Sequence, residues 1–473
     1  MRIAILHFHL RPGGVTRVIE MAHDALVAAG HEVLVVSGEP QPEAGRLPVD
    51  RVAVAPALGY GVTSSRWEEL KEEVEACVRA RWADGADVLH LHNHALGKNF
   101  ALPLAVAAWA KEGERLLLHI HDFAENGRPE NYRLLLEQLG GEEGLRAALY
   151  PVSSRIAYGL LNKSDLNRMH AAGDCHWLPN PVILPHAQHP VTAGELHAER
   201  LIVYPCRGIR RKNIGEALLL ASALGAGEKL VLTAPPMTPS DQGLYARWKA
   251  VAERLRLPVI FEGQTLLGRS TVDFLVGASL CLTTSVTEGF GMAFLEPWLA
   301  GVSLAGRDLP QVTEDFRESG VEFSHLYARC DVPVSDARRQ AVEQAIYEAV
   351  RHSCESYHVP IKAEMVAAAS AAVFAGELAD FGRLPEAAQE RILEERGMAG
   401  VALSAEKPDV VEKNRATIAE LYSAEAYAAK LEAAYHGLLE QPASGVDFLD
   451  TRALLLGMLD FGNFSALRHG ALG

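Results

Sequence analysis

RIAILHFHLRPGGVTRVIEMAHDALVAAGHEVLVVS, residues 2–37, decides the architecture. Residues 2–8 form an almost unbroken apolar run, the pattern of a strand covered on both faces. Pro12-Gly13-Gly14 supplies a turn. Residues 15–29 then space their apolar side chains at the helical period and stop at Gly30. Residues 31–37 are apolar again. Strand, glycine turn, helix and strand in this order make a βαβ unit, which commits the chain to a parallel sheet.

The pattern repeats outward. Residues 88–92 and 116–121 read as further buried strands, and 67–82 and 102–111 as helices. Proline density over 178–185, with weak periodicity to about 194, marks a linker. A second alternating series follows: strands at 200–206, 229–234, 259–262 and 279–284, helices at 214–224 and 247–255. The expected fold class is α/β, with two doubly wound, Rossmann-like domains and a cleft between them. The expected domains are 1–185, 195–410 and a helical C-terminal extension, 411–473, that partly crosses back to the first domain. Residues 425–439 carry the strongest helical pattern there.

Composition narrows the function. The 473 residues carry 45 Lys and Arg against 60 Asp and Glu, a net charge of −15, which argues against binding nucleic acid or an anionic membrane through bulk charge. The six cysteines are scattered, with no CxxC pair, as in a reduced cytoplasmic protein. No apolar run approaches a bilayer span, and the N-terminus leads directly into a strand. The extension is read as a source of interdomain bracing or homo-oligomer contacts.

Four constellations carry chemistry. Thr287-Glu-Gly-Phe-Gly-Met-Ala-Phe-Leu-Glu296 follows the strand at 279–284. Gly289 and Gly291 permit close backbone approach, and a helix beginning near Met292 is expected to aim its N–H groups at an anion. Glu288 and Glu296 stand eight positions apart, on the order of 10 Å along a helix, which suits two ends of one long ligand and not a proton-sharing pair. A loop glutamate followed by a dipole-favoured first-turn glutamate is the simpler alternative. Pro205-Cys-Arg-Gly-Ile-Arg-Arg-Lys-Asn213 places a basic patch at a strand's carboxyl end, where such sheets bind ligands. Gly13-Gly14 alone is a weak signal. His7 and His9, His90, His92 and His94, and His119 and His121 cluster at strand ends. They suit either packing within the sheet or a His-based metal site.

In order, Gly13-Gly14 with Arg17 and Gly30-His31-Glu32-Val33, His121-Asp122, Ser153-Ser154, Arg207-x4-Lys212 and Glu288-x7-Glu296 resemble the retaining, family-4-type glycosyltransferases of the GT-B fold. The resemblance spans residues 1–439. It implies that Arg207 and Lys212 hold the donor diphosphate and stabilise the leaving group without a metal. It implies that Glu288 holds the donor sugar, Glu296 the ribose, and Gly289, Phe290, Gly291 and Met292 the phosphate-binding loop. His121 would stand near the reacting carbon, and Gly14 near the diphosphate. Retention would follow from front-face attack. No cofactor is required on this reading; the donor is a substrate, UDP-glucose or GDP-mannose being foremost. The acceptor is expected to be small and soluble, with Arg11, Arg17, Lys98 and Arg128 selecting an acidic group, or else simply solvated. An epimerase or phosphorylase on the same fold, a silent nucleotide-sugar sensor and a metallohydrolase are the alternatives. The stretch Gly306-Arg-Asp-Leu-Pro-Gln-Val-Thr-Glu314 departs from the family's pattern, and Pro179-Asn-Pro181 replaces its usual linker.

Overall fold

The computed structural model describes residues 1–395 and 400–470. Two units emerge. The first comprises Met1–Pro181 and Leu421–Leu459, the second Val182–Glu420 and Asp460–Gly473.

In the first unit the strands are β1 (Arg2–His7), β2 (Glu32–Ser37), β3 (Val52–Val54), β4 (Val88–His92), β5 (Leu116–Ile120), β6 (Pro151–Val152), β7 (Ile156–Leu160) and β8 (Asp174–Trp177). Seven of them form one parallel sheet in the order β3-β2-β1-β4-β5-β7-β8. The short β6 instead pairs antiparallel with Asp447–Phe448. The order reverses between β1 and β4, so their carboxyl ends form the switch point at which such sheets bind ligands. Helix Gly14–Ala28 follows β1 through the diglycine turn.

A late segment completes this unit. Helix Ala424–Glu440, capped by Ser423 Oγ, buries Tyr427, Leu431, Ala434, Tyr435 and Leu438 at helical spacing. These side chains share one core with Ile3, Ile5, Val18 and Leu26. His31 reinforces the contact through Nε2, 2.7 Å from Glu432 Oε1.

The second unit contains β9 (Arg200–Arg207), β10 (Glu228–Ala234), β11 (Val259–Ile260), β12 (Leu280–Thr283), β13 (Leu304–Arg307) and β14 (Leu326–Tyr327) in one parallel sheet ordered β11-β10-β9-β12-β13-β14. Asp331–Pro333, Leu378–Asp380 and Phe374–Ala375 add a small antiparallel sheet. The carboxyl end of β13 carries a buried charge cluster. Arg307 donates to both carboxylate oxygens of Glu216 (3.0 and 2.7 Å) and of Asp380 (2.9 and 2.7 Å), and all three side chains are sealed from water. Arg383 joins Asp380 at 3.1 Å and donates to the Phe464 carbonyl at 2.8 Å.

Two expected boundaries shift. The second unit begins at Val182, ahead of residue 195, because Asp273 captures the linker: its carboxylate accepts from His189 N at 2.7 Å and its carbonyl from Val191 N at 3.0 Å. Val191 then enters the second unit's core. The extension 411–473 is not one body. Residues 421–459 complete the first unit's core, and those from Asp460 on join the second.

Candidate active site

At the carboxyl end of β9 the chain runs from Arg207 into a one-turn 3-10 helix, Arg210–Lys212. Asn213 follows with φ +52°, a left-handed value that an asparagine tolerates better than most residues. The turn is pinned from within. Tyr204 hydroxyl donates to the Lys212 carbonyl at 2.9 Å, and Thr284 Oγ1 donates to the carbonyls of Lys212 (2.9 Å) and Asn213 (3.1 Å). The Lys212 side chain is thereby aimed at the loop after β12.

Glu288 meets it there. Lys212 Nζ donates to Glu288 Oε1, which also accepts from Ser285 Oγ at 2.6 Å. Arg211 donates to Glu288 Oε2 at 2.5 Å and to the Thr287 carbonyl at 2.8 Å. Burial opposes the charge on Glu288, but Lys212 and Arg211 overcome it and hold the carboxyl down at about 2. Two cations facing one carboxylate leave a net positive locus, suited to phosphate oxygens.

The four cations of this patch serve differently. Arg210 is committed to structure: it binds the Glu386 carboxylate and donates to the Gly470 carbonyl at 2.7 Å. Arg211 and Lys212 converge on Glu288. Arg207, at the strand end, is exposed and its side chain makes no hydrogen bond or ion pair among the described residues. The sequence shows the whole basic patch, and the family resemblance points to Arg207 and Lys212 within it, leaving Arg211, which touches Glu288, without a role. The signal was present in its position beside Lys212, but a basic run does not reveal which member faces inward.

The glycine loop differs from expectation in one respect. Gly291 has φ +88°, and a Cβ there would stand 2.5 Å from Val312 Cγ1, so the position requires glycine. Phe290 is buried edge-on against Phe316, with centroids 5.5 Å apart. No long helix starts at Met292, however. Met292–Phe294 is a 3-10 turn, and only Glu296–Leu299 is α-helical. Pro297 stands in the first turn of that helix, where its missing N–H costs nothing. Glu296 opens this helix. So short a helix sums few peptide dipoles, and any anion is met here by individual N–H groups.

In the first unit, His121 follows β5. Asn93, at φ +57°, accepts from the backbone N–H groups of His121 (2.8 Å) and Asp122 (3.1 Å), fixing the start of that loop. Asn93 is a site residue that the histidine pattern concealed. His121 Nε2 lies 2.8 Å from His92 Nδ1. Burial in the first place lowers the His121 pKa to about 4, with Asp122 opposing, so the ring is neutral near pH 7.

Tyr60, which sequence reasoning missed, organises the charged residues nearby. Its hydroxyl is 3.0 Å from His9 Nε2, and Lys98 Nζ stands 6.0 Å from its ring centroid. Burial raises its pKa, while Arg11 and Arg128 act to lower it, so both cations lie within electrostatic reach. Arg11 is bidentate to Glu39 (2.5 and 2.6 Å), and Arg128 binds Asp122 at 2.7 Å. Arg17 sits on helix Gly14–Ala28. Gly14 is exposed, with open space where a Cβ would project. Ser153 and Ser154 serve elsewhere: Ser154 Oγ donates to the Pro442 carbonyl at 2.6 Å, and Ser153 Oγ lies 3.2 Å from Ser444 Oγ, tying down the chain after helix Ala424–Glu440.

His90, His92 and His119 bring ligand-type nitrogens within 4.8 Å of one another. Their rings stack in place of converging: His90 and His92 are inclined by 28° and His90 and His119 by 16°. Stacked rings direct their lone pairs side by side, unlike the tetrahedral convergence zinc needs.

Residues 13–164 match a family model described as a glycosyl transferase 4-like domain. Solved glycosyltransferases share the fold. Sucrose-phosphate synthase from Thermosynechococcus elongatus aligns with a TM-score of 0.53 and 16% identity, over 92% of this chain and 98% of its own. Anabaena HepE, solved with UDP and glucose, aligns with a TM-score of 0.52 and 13% identity over the same shares. The chain thus shares the GT-B fold of these glycosyltransferases, and its residues 13–164 are similar to the glycosyl transferase 4-like domain. Among curated relatives, a mannosylglucosyl-3-phosphoglycerate synthase from Petrotoga mobilis is 26% identical over 383 residues, 73% of this chain and 72% of its own. No helix among the described residues is long and apolar enough to cross a membrane.

Proposed function

We propose that the enzyme moves a hexose, glucose or mannose, from a UDP- or GDP-sugar to a hydroxyl of a small anionic acceptor, with retention and without a metal. The observation that carries this reading is the convergence of Lys212 and Arg211 on Glu288 at the carboxyl ends of β9 and β12.

Cleavage of a glycosyl–phosphate bond builds negative charge on the departing diphosphate. Cations held in place beforehand stabilise that charge more in the transition state than in the ground state. Lys212 is fixed through its own carbonyl by Tyr204 and Thr284, so little reorganisation is needed. Exposed Arg207 reaches the same ligand from the strand end, and Glu288, ionised throughout the working range, accepts from donor hydroxyls while keeping the two cations aimed. Glu296 takes the ribose. Gly289, Phe290, Gly291 and Met292 bring the backbone close to phosphate. Retention belongs to a front-face attack in which the acceptor hydroxyl enters on the leaving-group side, and Glu288 is not the nucleophile.

The acceptor class rests on cations of the first unit. Arg11, Lys98 and Arg128 around Tyr60, with Arg17 on helix Gly14–Ala28, suit a phosphorylated or carboxylated acceptor. The Petrotoga relative, whose named product contains phosphoglycerate bearing glucosyl and mannosyl groups, supports that choice. The test is incubation with UDP-, GDP- and ADP-sugars, first alone and then with sugar phosphates and phosphoglycerate-type acceptors. Slow donor hydrolysis alone and fast transfer with an anionic acceptor are expected. Failure of every nucleotide to bind or turn over removes the reading.

A further inference from the structure

Histidines crowd the carboxyl ends of β1, β4 and β5, and their partners determine which nitrogen carries each proton. His119 and His121 stack with centroids 4.4 Å apart, as do His90 and His92. His90 Nδ1 is 2.8 Å from the Tyr435 hydroxyl and its Nε2 is 3.3 Å from His119 Nδ1. Among the described residues, no carboxylate hydrogen-bonds to any of these four rings. Burial therefore keeps them neutral: the pKa of His90 falls to about 3, and those of His92 and His119 fall well below the usual value.

A neutral imidazole has a single N–H. In the His92–His121 pair it comes either from His92 Nδ1 or from His121 Nε2. The deciding atom is His92 Nε2, which is buried and has no hydrogen-bond partner among the described residues. Donation by His121 would put the His92 proton on that atom, burying an orphaned N–H; interiors avoid such groups more strictly than bare acceptors. Donation by His92 leaves a bare lone pair there. His121 then accepts at Nε2 and bears its proton on Nδ1, which makes no hydrogen bond among the described residues and is not sealed from solvent.

We propose that His92 is a positioning residue that locks His121 in the Nδ1–H tautomer, so that His121 meets the donor as a hydrogen-bond donor and not as a base. The catalytic half of this statement rests on the transferase reading above; the tautomeric half does not. As an N–H donor, His121 suits a sugar hydroxyl or a phosphate oxygen on which charge is building.

Nitrogen-15 NMR of the full chain labelled at histidine tests the tautomer without any substrate. His121 is expected to show a protonated Nδ1 and a bare Nε2. In His92→Asp, whose carboxylate accepts and cannot donate, His121 should shift to Nε2–H. In His92→Asn, whose amide N–H replaces Nδ1–H, the original tautomer should persist. Donor turnover should fall roughly tenfold to a hundredfold in His92→Asp at unchanged donor KM, and recover in His92→Asn. An Nε2–H signal for His121 in the unsubstituted chain overturns the proposal, whatever the variants do. An unchanged tautomer in a folded His92→Asp chain overturns it as well. If the tautomer is as stated but no nucleotide sugar is turned over, the assignment to His92 is upheld and the transferase reading is what fails.

Discussion

Lys212 and Glu288, 76 residues apart, form an ion pair nearly closed to water, with side-chain exposures of 11% and 8%. The pair joins the ends of two neighbouring parallel strands. It keeps the Lys212 ammonium group in a fixed orientation.

Removal of that ammonium should remove catalysis. Lys212→Ala is expected to cut kcat for transfer by about 10²–10³, the usual loss when one preplaced stabilising group is deleted. Arg211 still holds Glu288, so circular dichroism should show an unchanged fold. Activity within a few fold of the parent would take Lys212 out of the mechanism.

Acid stability should report on Glu288. Its folded pKa of about 2 lies below the ordinary 4.5, so its contribution is full above about pH 4.5 and is lost as pH falls toward 2. The depression corresponds to on the order of 3 kcal/mol. Glu288→Gln should flatten the acid limb of a denaturation series in that window, and an unchanged limb would show that the carboxylate is not held by its cations.

The buried histidines set the opposite balance in the first unit. His7 and His90 titrate near 3, His94 and His121 near 4, mainly through burial. Between about pH 6.5 and 4 the unfolded chain binds protons that the folded chain refuses, so stability falls as pH drops through that range. Each such histidine contributes a slope of about 1.4 kcal/mol per pH unit. Thermal unfolding followed from pH 8 to pH 5 should show a declining midpoint, less steep in His94→Gln; a flat profile contradicts neutral burial.

Breaking the charge cluster should be costlier than replacing it. Arg307→Ala strands Glu216 and Asp380 in the interior and is expected to cost about 3–5 kcal/mol in urea unfolding. The triple replacement of Arg307, Glu216 and Asp380 by apolar residues should recover much of that loss. Equal damage from both would argue that shape, not charge, matters there.

Much of this was legible in the chain. Apolar runs such as 2–8 and 88–92 announced parallel strands, because a sheet covered on both faces needs no polar alternation. Glu288, Lys212 and Gly291 were visible because charge and glycine gather after two strands of the second series, at 200–206 and 279–284. What stayed hidden depends on contacts distant in sequence. Arg210, Arg211 and Lys212 look alike until Glu386 claims the first and Glu288 the other two. Asn93 and Tyr60 carry no pattern, since one acts through a left-handed backbone and the other through charged neighbours distant in sequence. The linker's true end was set by Asp273, some eighty residues downstream of it.

Helix Ala424–Glu440 has a consequence for synthesis. The first 181 residues leave the ribosome long before it does, yet Tyr427, Leu431 and Tyr435 are missing from their core until it emerges. Throughout translation of the second unit, the nascent first unit must wait with an apolar groove open beside helix Gly14–Ala28. A chaperone that binds apolar clefts has its longest opportunity on this protein during that interval, and chains released short of residue 440 should be the ones that aggregate.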